Sequence, residues 1–278
     1  MVRICKRILR GISACLLIAV MMSATIVLAV LAREIWPTAP GMENHKDGML
    51  TVDSSNSNKG YIMASSDRTG NRLKLRVNHE ETDTLYTYDL NGEGRYEVIP
   101  LQQGCGEYTC TLFENVKGNR YAQAGQLQIQ AEVEEENLAF LYPNQYVNYD
   151  SENEAVKISN LICAGLYSDQ EKFEVIKKYI TDNYVYDFDR AKKLTSGTLP
   201  DINYCLENKK GICQDLAAMA ACMLRVQGIP TKLVIGYADR YYHAWNNVYI
   251  DGEMILYDPT VELNNMYKNV KYTVERYY

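Results

Sequence analysis

The chain has 278 residues, a length that allows one large domain or two smaller ones. Its net charge is −6, although Arg3, Lys6, Arg7 and Arg10 place four positive charges in the first ten residues. Such an acidic body lacks the basic surface that binds phosphate groups, so nucleic acid is not expected as a partner. With only three histidines and no cysteine pair at C-x-x-C spacing, the sequence predicts neither a metal site nor a cofactor.

The N-terminal segment has the pattern of a membrane anchor. Residues 11–32 contain no charged side chain and would form a helix of about 33 Å, enough to cross the hydrocarbon core of a bilayer. Because basic residues stay on the cytoplasmic side, the sequence predicts a cytoplasmic tail at 1–10, a transmembrane signal anchor at 11–32 and an extracytoplasmic remainder. The alternative is a signal peptide cleaved after Ala29 or Ala32, which would release a secreted protein.

The next two segments differ in composition. Residues 33–59 are rich in Ser, Asn and Gly without periodicity, which predicts a flexible linker. Residues 60–149 alternate apolar and polar side chains in short runs separated by turn signals such as NGEG, which predicts a small all-β sandwich domain. Cys105 and Cys110 would form a disulfide only if a turn brought them together, and that question stays open here.

Near residues 149–154 the hydrophobic period changes from two to 3.6. Ser168 and Glu171 form a capping-box pattern ahead of apolar residues at helical spacing. Further helical and then strand patterns follow, so residues 150–278 are predicted to form an α+β domain with its helices first and an antiparallel sheet last. This domain is expected to fold independently.

The stretch KKGICQDLAAMAACMLRVQGIP, residues 209–230, predicts a helix that begins at Cys213. Apolar side chains recur at helical spacing from Leu216 onward, and Gly228 followed by Pro230 ends the helix. Cys213 therefore lies at the helix N-terminus, where the helix dipole favours a thiolate. The acidic Asp215 in the first turn disfavours it slightly, since it is a nearby negative charge.

A predicted hairpin supplies two further polar groups. With Asp251-Gly252 as its two-residue turn, the register puts His243 opposite Thr260 and puts Asp258 diagonally opposite His243 on the same face. A thiol at a helix start, an imidazole that takes its proton and a carboxylate that orients the imidazole are the three groups of cysteine-nucleophile catalysis.

Three stretches, KKGICQDLAAMAACMLRVQGIPTKLVIGY, YHAWNNVYIDG and LYDPT, resemble the transglutaminase-like superfamily, whose core is papain-like, over about residues 174–261. The resemblance implies Cys213 as nucleophile, His243 as general base and Asp258 as its orienting partner, and Trp245 matches the aromatic residue after the histidine of the family. The preceding β-rich region resembles the sandwich found before this domain in some bacterial exported members. No acidic cluster like the calcium site of the animal crosslinking enzymes is present, so calcium dependence is not implied.

The expected function is that of a membrane-anchored, extracytoplasmic thiol acyl-transfer enzyme that acts on amides of peptides or proteins at the cell surface. Water as acceptor would make it a peptidase or amidase, and an amine would make it a transglutaminase. Gln214, Trp245, Tyr204 and Tyr186 are the candidate substrate-binding or oxyanion-binding residues. The alternative is a catalytically silent surface module that binds a partner with the same fold.

Overall fold

The computed structural model of the protein describes residues 36–67, 69–195, 197–264 and 270–278. Within this part of the chain, Thr38–Tyr278 form one structural unit. The predicted cytoplasmic tail and the anchor at 11–32 lie outside the described residues. No helix in the described part is long and apolar enough to cross a membrane.

The described residues up to Ala131 form eight strands. They are β1 Asn44–Asp47, β2 Leu50–Asp53, β3 Tyr61–Ser66, β4 Leu73–His79, β5 Thr84–Leu90, β6 Glu97–Pro100, β7 Gly106–Lys117 and β8 Arg120–Ala131. The strands form two four-stranded antiparallel sheets, with orders β1-β2-β3-β6 and β5-β4-β7-β8. In β4, buried side chains alternate with more exposed ones, as they do in a sheet that packs one face on a core.

Part of the predicted flexible linker at 33–59 is regular structure, so this prediction is corrected from residue 44 onward. Strands β1 and β2 pair as a hairpin, and Leu50 and Val52 in β2 are both 0 % exposed. Met49 also donates its backbone N–H to the carbonyl oxygen of Ala124 in β8, at 2.8 Å. The alternating run LTVD is typical of a strand. The sequence prediction missed it because the Ser- and Asn-rich residues after it make the composition of 33–59 resemble that of a linker.

The second half of the chain contains six helices and six strands among the described residues. The helices are α1 Glu154–Ile162, α2 Asp169–Asn183, α3 Phe188–Lys192, α4 Ile202–Asn208, α5 Cys213–Arg225 and α6 Pro259–Asn264. The strands are β9 Val185–Tyr186, β10 Lys210–Gly211, β11 Thr231–Ala238, β12 Tyr241–Ile250, β13 Glu253–Tyr257 and β14 Tyr272–Tyr277. The last four form an antiparallel sheet of order β13-β12-β11-β14, so this half mixes helices and sheet as predicted.

Helix α5 lies at the centre of this half. Every residue from Asp215 to Arg225 is buried, because α1, α2 and α4 pack on it as well as strands β11 and β12. The helix begins at Cys213, where the sequence predicts its start, but it is buried all round rather than along one stripe. A helix enclosed in this way holds its first residue in a defined position.

The two halves meet at Tyr278. Its ring stacks on Tyr146, with ring centroids 3.5 Å apart, and makes edge contacts with Tyr86 and Tyr88 of β5. Next to it, the side-chain amide of Gln103 donates to the hydroxyl of Tyr277, at 3.1 Å. The β-rich region therefore packs directly on the sheet that carries β14.

Candidate active site

The position of Cys213 is set by the chain just before it. The short parallel strands β9 and β10 pair Gly211 with Tyr186, and the N–H of Asp187 donates to the carbonyl oxygen of Gly211, at 2.9 Å. A Cβ atom at Gly211 would collide with the sulfur of Cys205. The chain can therefore pass close to α4 only with glycine here, and Cys213 enters the helix from this fixed point.

Asp215 in the first turn of α5 is turned away from open solvent and is 0 % exposed. Its carboxylate accepts hydrogen bonds from the backbone N–H groups of Ile212 and Asp201, at 3.2 and 2.9 Å, and from Nε of Arg190, at 3.0 Å. Burial raises the pKa of Asp215, and these donors oppose that rise. The charge of Asp215 is thus compensated by Arg190, a partner that the sequence analysis did not identify.

His243 and Asp258 come together as the sequence analysis expects. Nε2 of His243 lies 2.7 Å from Oδ2 of Asp258, and both side chains are largely buried. Oδ1 of the same carboxylate accepts the backbone N–H groups of Thr260 and Val261, at 2.9 and 3.1 Å, so Asp258 caps helix α6. Both oxygens of the Asp258 carboxylate therefore have hydrogen-bond partners, which fix its orientation.

His243 and Asp258 are brought together by a different chain geometry from the predicted hairpin pairing. The turn register holds, with Ile250 opposite Glu253, but the β12–β13 ladder ends at the pair Asn246 and Tyr257. The predicted pairing of His243 with Thr260 is corrected, because α6 begins at Pro259, so Thr260 is helical and His243 faces Gly236 of β11 instead. Asp258 reaches His243 because the chain turns into α6 at that point.

Two aromatic residues complete the surroundings of the pair. The hydroxyl of Tyr272 in β14 donates to the same Oδ2 of Asp258 that contacts His243, at 2.9 Å. The ring of Trp245 contacts Tyr272, with centroids 4.9 Å apart, and lies nearly parallel to the ring of His243 at 6.4 Å. Tyr272 was not identified from the sequence, because its place beside Asp258 depends on β14 pairing with β11.

The environment of His243 favours its protonated form. Burial lowers the pKa of the imidazole, but hydrogen bonds with Asp258 and with the side chain of Cys213 outweigh burial and raise that pKa to about 10. Since Nε2 contacts Asp258, Nδ1 is the nitrogen available to Cys213. The arrangement places the side chain of Cys213 beside an imidazole whose positive charge is stabilised by the Asp258 carboxylate.

Cys213 and His243 open into a cavity of about 280 Å³. Of the four candidate substrate or oxyanion residues, only Tyr186 lines this cavity. The pKa of Tyr186 is raised to about 12 by burial and by the nearby Cys213, while a hydrogen bond with the Cys213 backbone opposes the rise.

The other three candidates are engaged elsewhere. The side-chain amide of Gln214 donates to the carbonyl oxygen of Thr198, at 3.0 Å, and the hydroxyl of Tyr204 donates to Asp187, at 2.7 Å. Trp245 is 1 % exposed and packs behind the histidine, as described above. The structure therefore brings Tyr186 to Cys213 and leaves Gln214, Tyr204 and Trp245 out of the cavity lining.

The six cysteines in the described part of the chain are all free thiols. Cys110 is buried in β7, whereas the sulfur of Cys105 lies 3.3 Å from the carbonyl oxygen of Val133. The disulfide that the sequence left open between these two residues is not formed in this structure.

Comparison with known proteins finds a family match over part of the chain. Residues 157–259, which include Cys213, His243 and Asp258, match the model of the transglutaminase-like superfamily. No curated protein matches the chain.

Among solved structures, the chain is similar to a candidate cysteine protease from Cytophaga hutchinsonii, with 13% identity, a TM-score of 0.39 and 78% of each chain covered. It is also similar to a candidate protease from Parabacteroides distasonis, with 14% identity, a TM-score of 0.33 and coverage of 75% of this chain and 63% of that one. A third similar structure is a TGase, with 24% identity, a TM-score of 0.31 and coverage of 38% and 30%. None of these TM-scores reaches 0.5, so the likenesses alone say nothing about activity.

Proposed function

Because the chain carries a transglutaminase-like domain over residues 157–259, we propose that it is a thiol acyl-transfer enzyme with Cys213 as nucleophile, His243 as acid and base, and Asp258 as orienting carboxylate. The observation that carries the proposal is the shared imidazole. His243 contacts Asp258 at 2.7 Å, and it lines the same cavity as Cys213, whose side chain helps to raise the pKa of the imidazole.

The proposed reaction has two steps. First, the sulfur of Cys213 bonds to the carbonyl carbon of an amide, the C–N bond breaks, and the leaving amine takes the imidazolium proton of His243. Second, water or a primary amine attacks the resulting thioester, His243 accepts the proton of that nucleophile, and the C–S bond breaks. The second step restores the thiolate and the imidazolium, so protons balance over the cycle.

The start of helix α5 supports the charged intermediate of both steps. Its first backbone N–H groups, at Cys213 and Gln214, have no partner within the helix. The N–H of Gln214 can stabilise a developing oxyanion, and that of Cys213 can do so when a substrate displaces its hydrogen bond with Tyr186. Of the four candidates named from the sequence, Tyr186 is the preferred side-chain donor to the oxyanion, because it lines the same cavity as Cys213. Gln214 and Tyr204 already donate to other groups.

The test is one incubation of the protein with a peptide library and a labelled primary amine, comparing wild type with Cys213→Ala by mass spectrometry. Shortened or deamidated peptides would identify water as the acceptor, and labelled conjugates would identify an amine. Both products should vanish in Cys213→Ala. If wild type gives neither product, the silent binding module becomes the better proposal.

We further propose that the protein is anchored by residues 11–32 with its folded part outside the cytoplasm, where it would act on peptides or proteins at the cell surface. The charge asymmetry around this apolar segment supports the orientation. Protease added to intact cells should remove the folded part. Survival of that part until the cells are lysed would contradict the orientation, and release of a form lacking the first 29 or 32 residues would contradict the anchor.

A further inference from the structure

The cavity beside Cys213 is lined by two pairs of aromatic rings from separate parts of the chain. Tyr186 and Phe188 come from β9 and the start of α3, and Tyr241 and Tyr242 come from the start of β12. The proposed mechanism uses Tyr186 alone among these four. The other three rings therefore call for a separate explanation.

Three of these rings are unusually open to solvent. Phe188 is 56 % exposed, Tyr241 56 % and Tyr242 63 %. Isolated exposed apolar residues are common, but large rings grouped around a cavity are typical of a binding surface. Their exposure in the free protein leaves apolar area that a ligand can cover.

The rings are held in place before any ligand binds. Tyr186 and Phe188 meet edge to face, with centroids 4.9 Å apart, and Tyr242 meets Tyr237 in the same way at 5.6 Å. The guanidinium of Arg240 donates to the hydroxyl of Tyr241, at 2.9 Å. Rings fixed in this way lose little conformational entropy on binding, which favours affinity.

The described lining of the cavity offers few charged partners to a ligand. Among the described lining residues there is no lysine or arginine to pair with a ligand carboxylate. Cys213 and His243, as the proposed thiolate–imidazolium pair, carry no net charge that would attract a charged side chain. The one lining carboxylate, Asp239, already accepts the backbone N–H of Lys271, at 3.1 Å.

The size of the cavity limits its occupant. Its volume of about 280 Å³ lies just below the range of roughly 300–1,000 Å³ that holds drug-sized ligands. There is room for one large side chain but not for an extended peptide. We propose that this cavity is a subsite for one neutral aromatic side chain of a peptide or protein substrate, next to the amide that Cys213 attacks.

The inference rests on the proposed function only where it names the amide that reacts. The first test therefore measures peptide binding in a variant that cannot carry out the reaction. The Cys213→Ala protein is titrated by NMR with capped tripeptides acetyl-Gly-Xaa-Gly-amide, in which Xaa is Phe, Leu, Asp or Lys. The Phe peptide should bind at least about tenfold more tightly than the Asp and Lys peptides. Equal binding of all four, or tighter binding of the Lys peptide, overturns the inference.

A second variant identifies the rings responsible. Adding Phe188→Ala should weaken binding of the Phe peptide by about fivefold, the effect of losing one aromatic contact. Phe188 is exposed, so the variant should keep its fold, which its thermal unfolding midpoint will verify. Adding Tyr167→Ala instead removes a ring that is 91 % exposed outside the lining, and it should change nothing. Equal effects of the two changes would contradict the subsite.

Turnover by wild type separates the two proposals. If the Cys213→Ala protein prefers the Phe peptide but wild type turns over no amide, the subsite stands and the proposed enzyme function fails. If wild type turns over amides without preference for a neighbouring aromatic residue, the enzyme function stands and the subsite fails.

Discussion

At the scale of single residues, Cys213 and Cys222 lie in the same helix in opposite environments. Cys213 is partly exposed beside His243, whereas Cys222 is 0 % exposed. Burial raises the pKa of the thiols of Cys222, Cys205 and Cys163 above the usual value. These three thiols are protonated at neutral pH, and protonated thiols react slowly.

We expect iodoacetamide to modify Cys213 at about pH 6, well before Cys163, Cys205 and Cys222, because the imidazolium of His243 favours the thiolate. The pKa of His243 is raised from 6.5 to about 10, so the imidazole stays protonated across neutral pH and loses its charge as pH rises through about 10. Mass spectrometry of the modified sites at several pH values checks this order of reactivity.

Two variants test the origin of this reactivity. His243→Ala should move alkylation of Cys213 to higher pH, and Asp258→Ala should do so more weakly, because the carboxylate acts through the imidazole. The nucleophile assignment fails if Cys213 reacts no faster than Cys222 in the folded protein.

Tyr272 is expected to be a positioning residue for the Asp258 carboxylate. Tyr272→Phe keeps the ring on Trp245 and removes one of the two groups that hold Oδ2 of Asp258. A hydrogen bond to a charged group contributes about 1.5–3 kcal/mol, so we expect roughly a tenfold lower alkylation rate of Cys213 at pH 6, with a shifted pH profile.

The matched control for Tyr272→Phe is Tyr257→Phe in strand β13, at the other edge of the same sheet. The hydroxyl of Tyr257 is buried and has no hydrogen-bond partner among the described residues, so its removal should leave the alkylation rate unchanged. A positioning role for Tyr272 is excluded if both variants behave alike, or if Tyr272→Phe changes only the stability.

At the scale of elements, the N-terminus of helix α5 depends on the buried Asp215. Asp215→Asn leaves Arg190 without its carboxylate and replaces one accepting oxygen by an N–H donor that faces other donors. We expect a loss of about 2–4 kcal/mol in the free energy of unfolding, measured by urea denaturation.

A surface carboxylate provides the control for this element. Asp182 in α2 pairs with Lys178 at 2.6 Å in an exposed site, so Asp182→Asn should cost less than about 1 kcal/mol. Similar losses in the two variants would mean that the Arg190–Asp215 pair is not what holds the start of α5.

At the scale of the whole molecule, Arg225 joins segments on both sides of the predicted domain boundary. Its guanidinium is 0 % exposed and donates to the carbonyl oxygens of Tyr142, Thr231 and Tyr278, at 2.6 to 2.9 Å. The carbonyl of Tyr142 precedes the boundary predicted at 149–154. Independent folding of residues 150–278 stays a prediction, but these contacts argue for a start further upstream.

We therefore expect a fragment of residues 137–278 to unfold at higher urea concentration than one of residues 150–278. The longer fragment keeps the Tyr142 carbonyl and the stack of Tyr146 on Tyr278, whereas the shorter one leaves a buried guanidinium donor unpaired. Both fragments lack Tyr86 and Tyr88, so both should be less stable than the full chain. Equal unfolding midpoints of the two fragments would contradict this role of residues 137–149.

The features that the sequence predicted correctly are local ones, which depend on residues close together in the chain. The capping box of Ser168 and Glu171, the start of α5 at Cys213 and the turn at Asp251-Gly252 each depend on neighbours within a few positions. The same holds for the register at the hairpin end, which is counted from the turn.

What only the tertiary structure decided are the contacts between distant segments. Tyr272 reaches Asp258 through the pairing of β14 with β11. Arg190 of α3 reaches Asp215 of α5 from 25 positions earlier in the chain. Tyr186 is preferred to Gln214 and Tyr204 as the oxyanion donor because the latter two donate to Thr198 and Asp187, and these contacts are visible only in the folded structure. Periodicity shows which face of an element is buried, but which elements meet depends on long-range packing, and no local pattern encodes that choice.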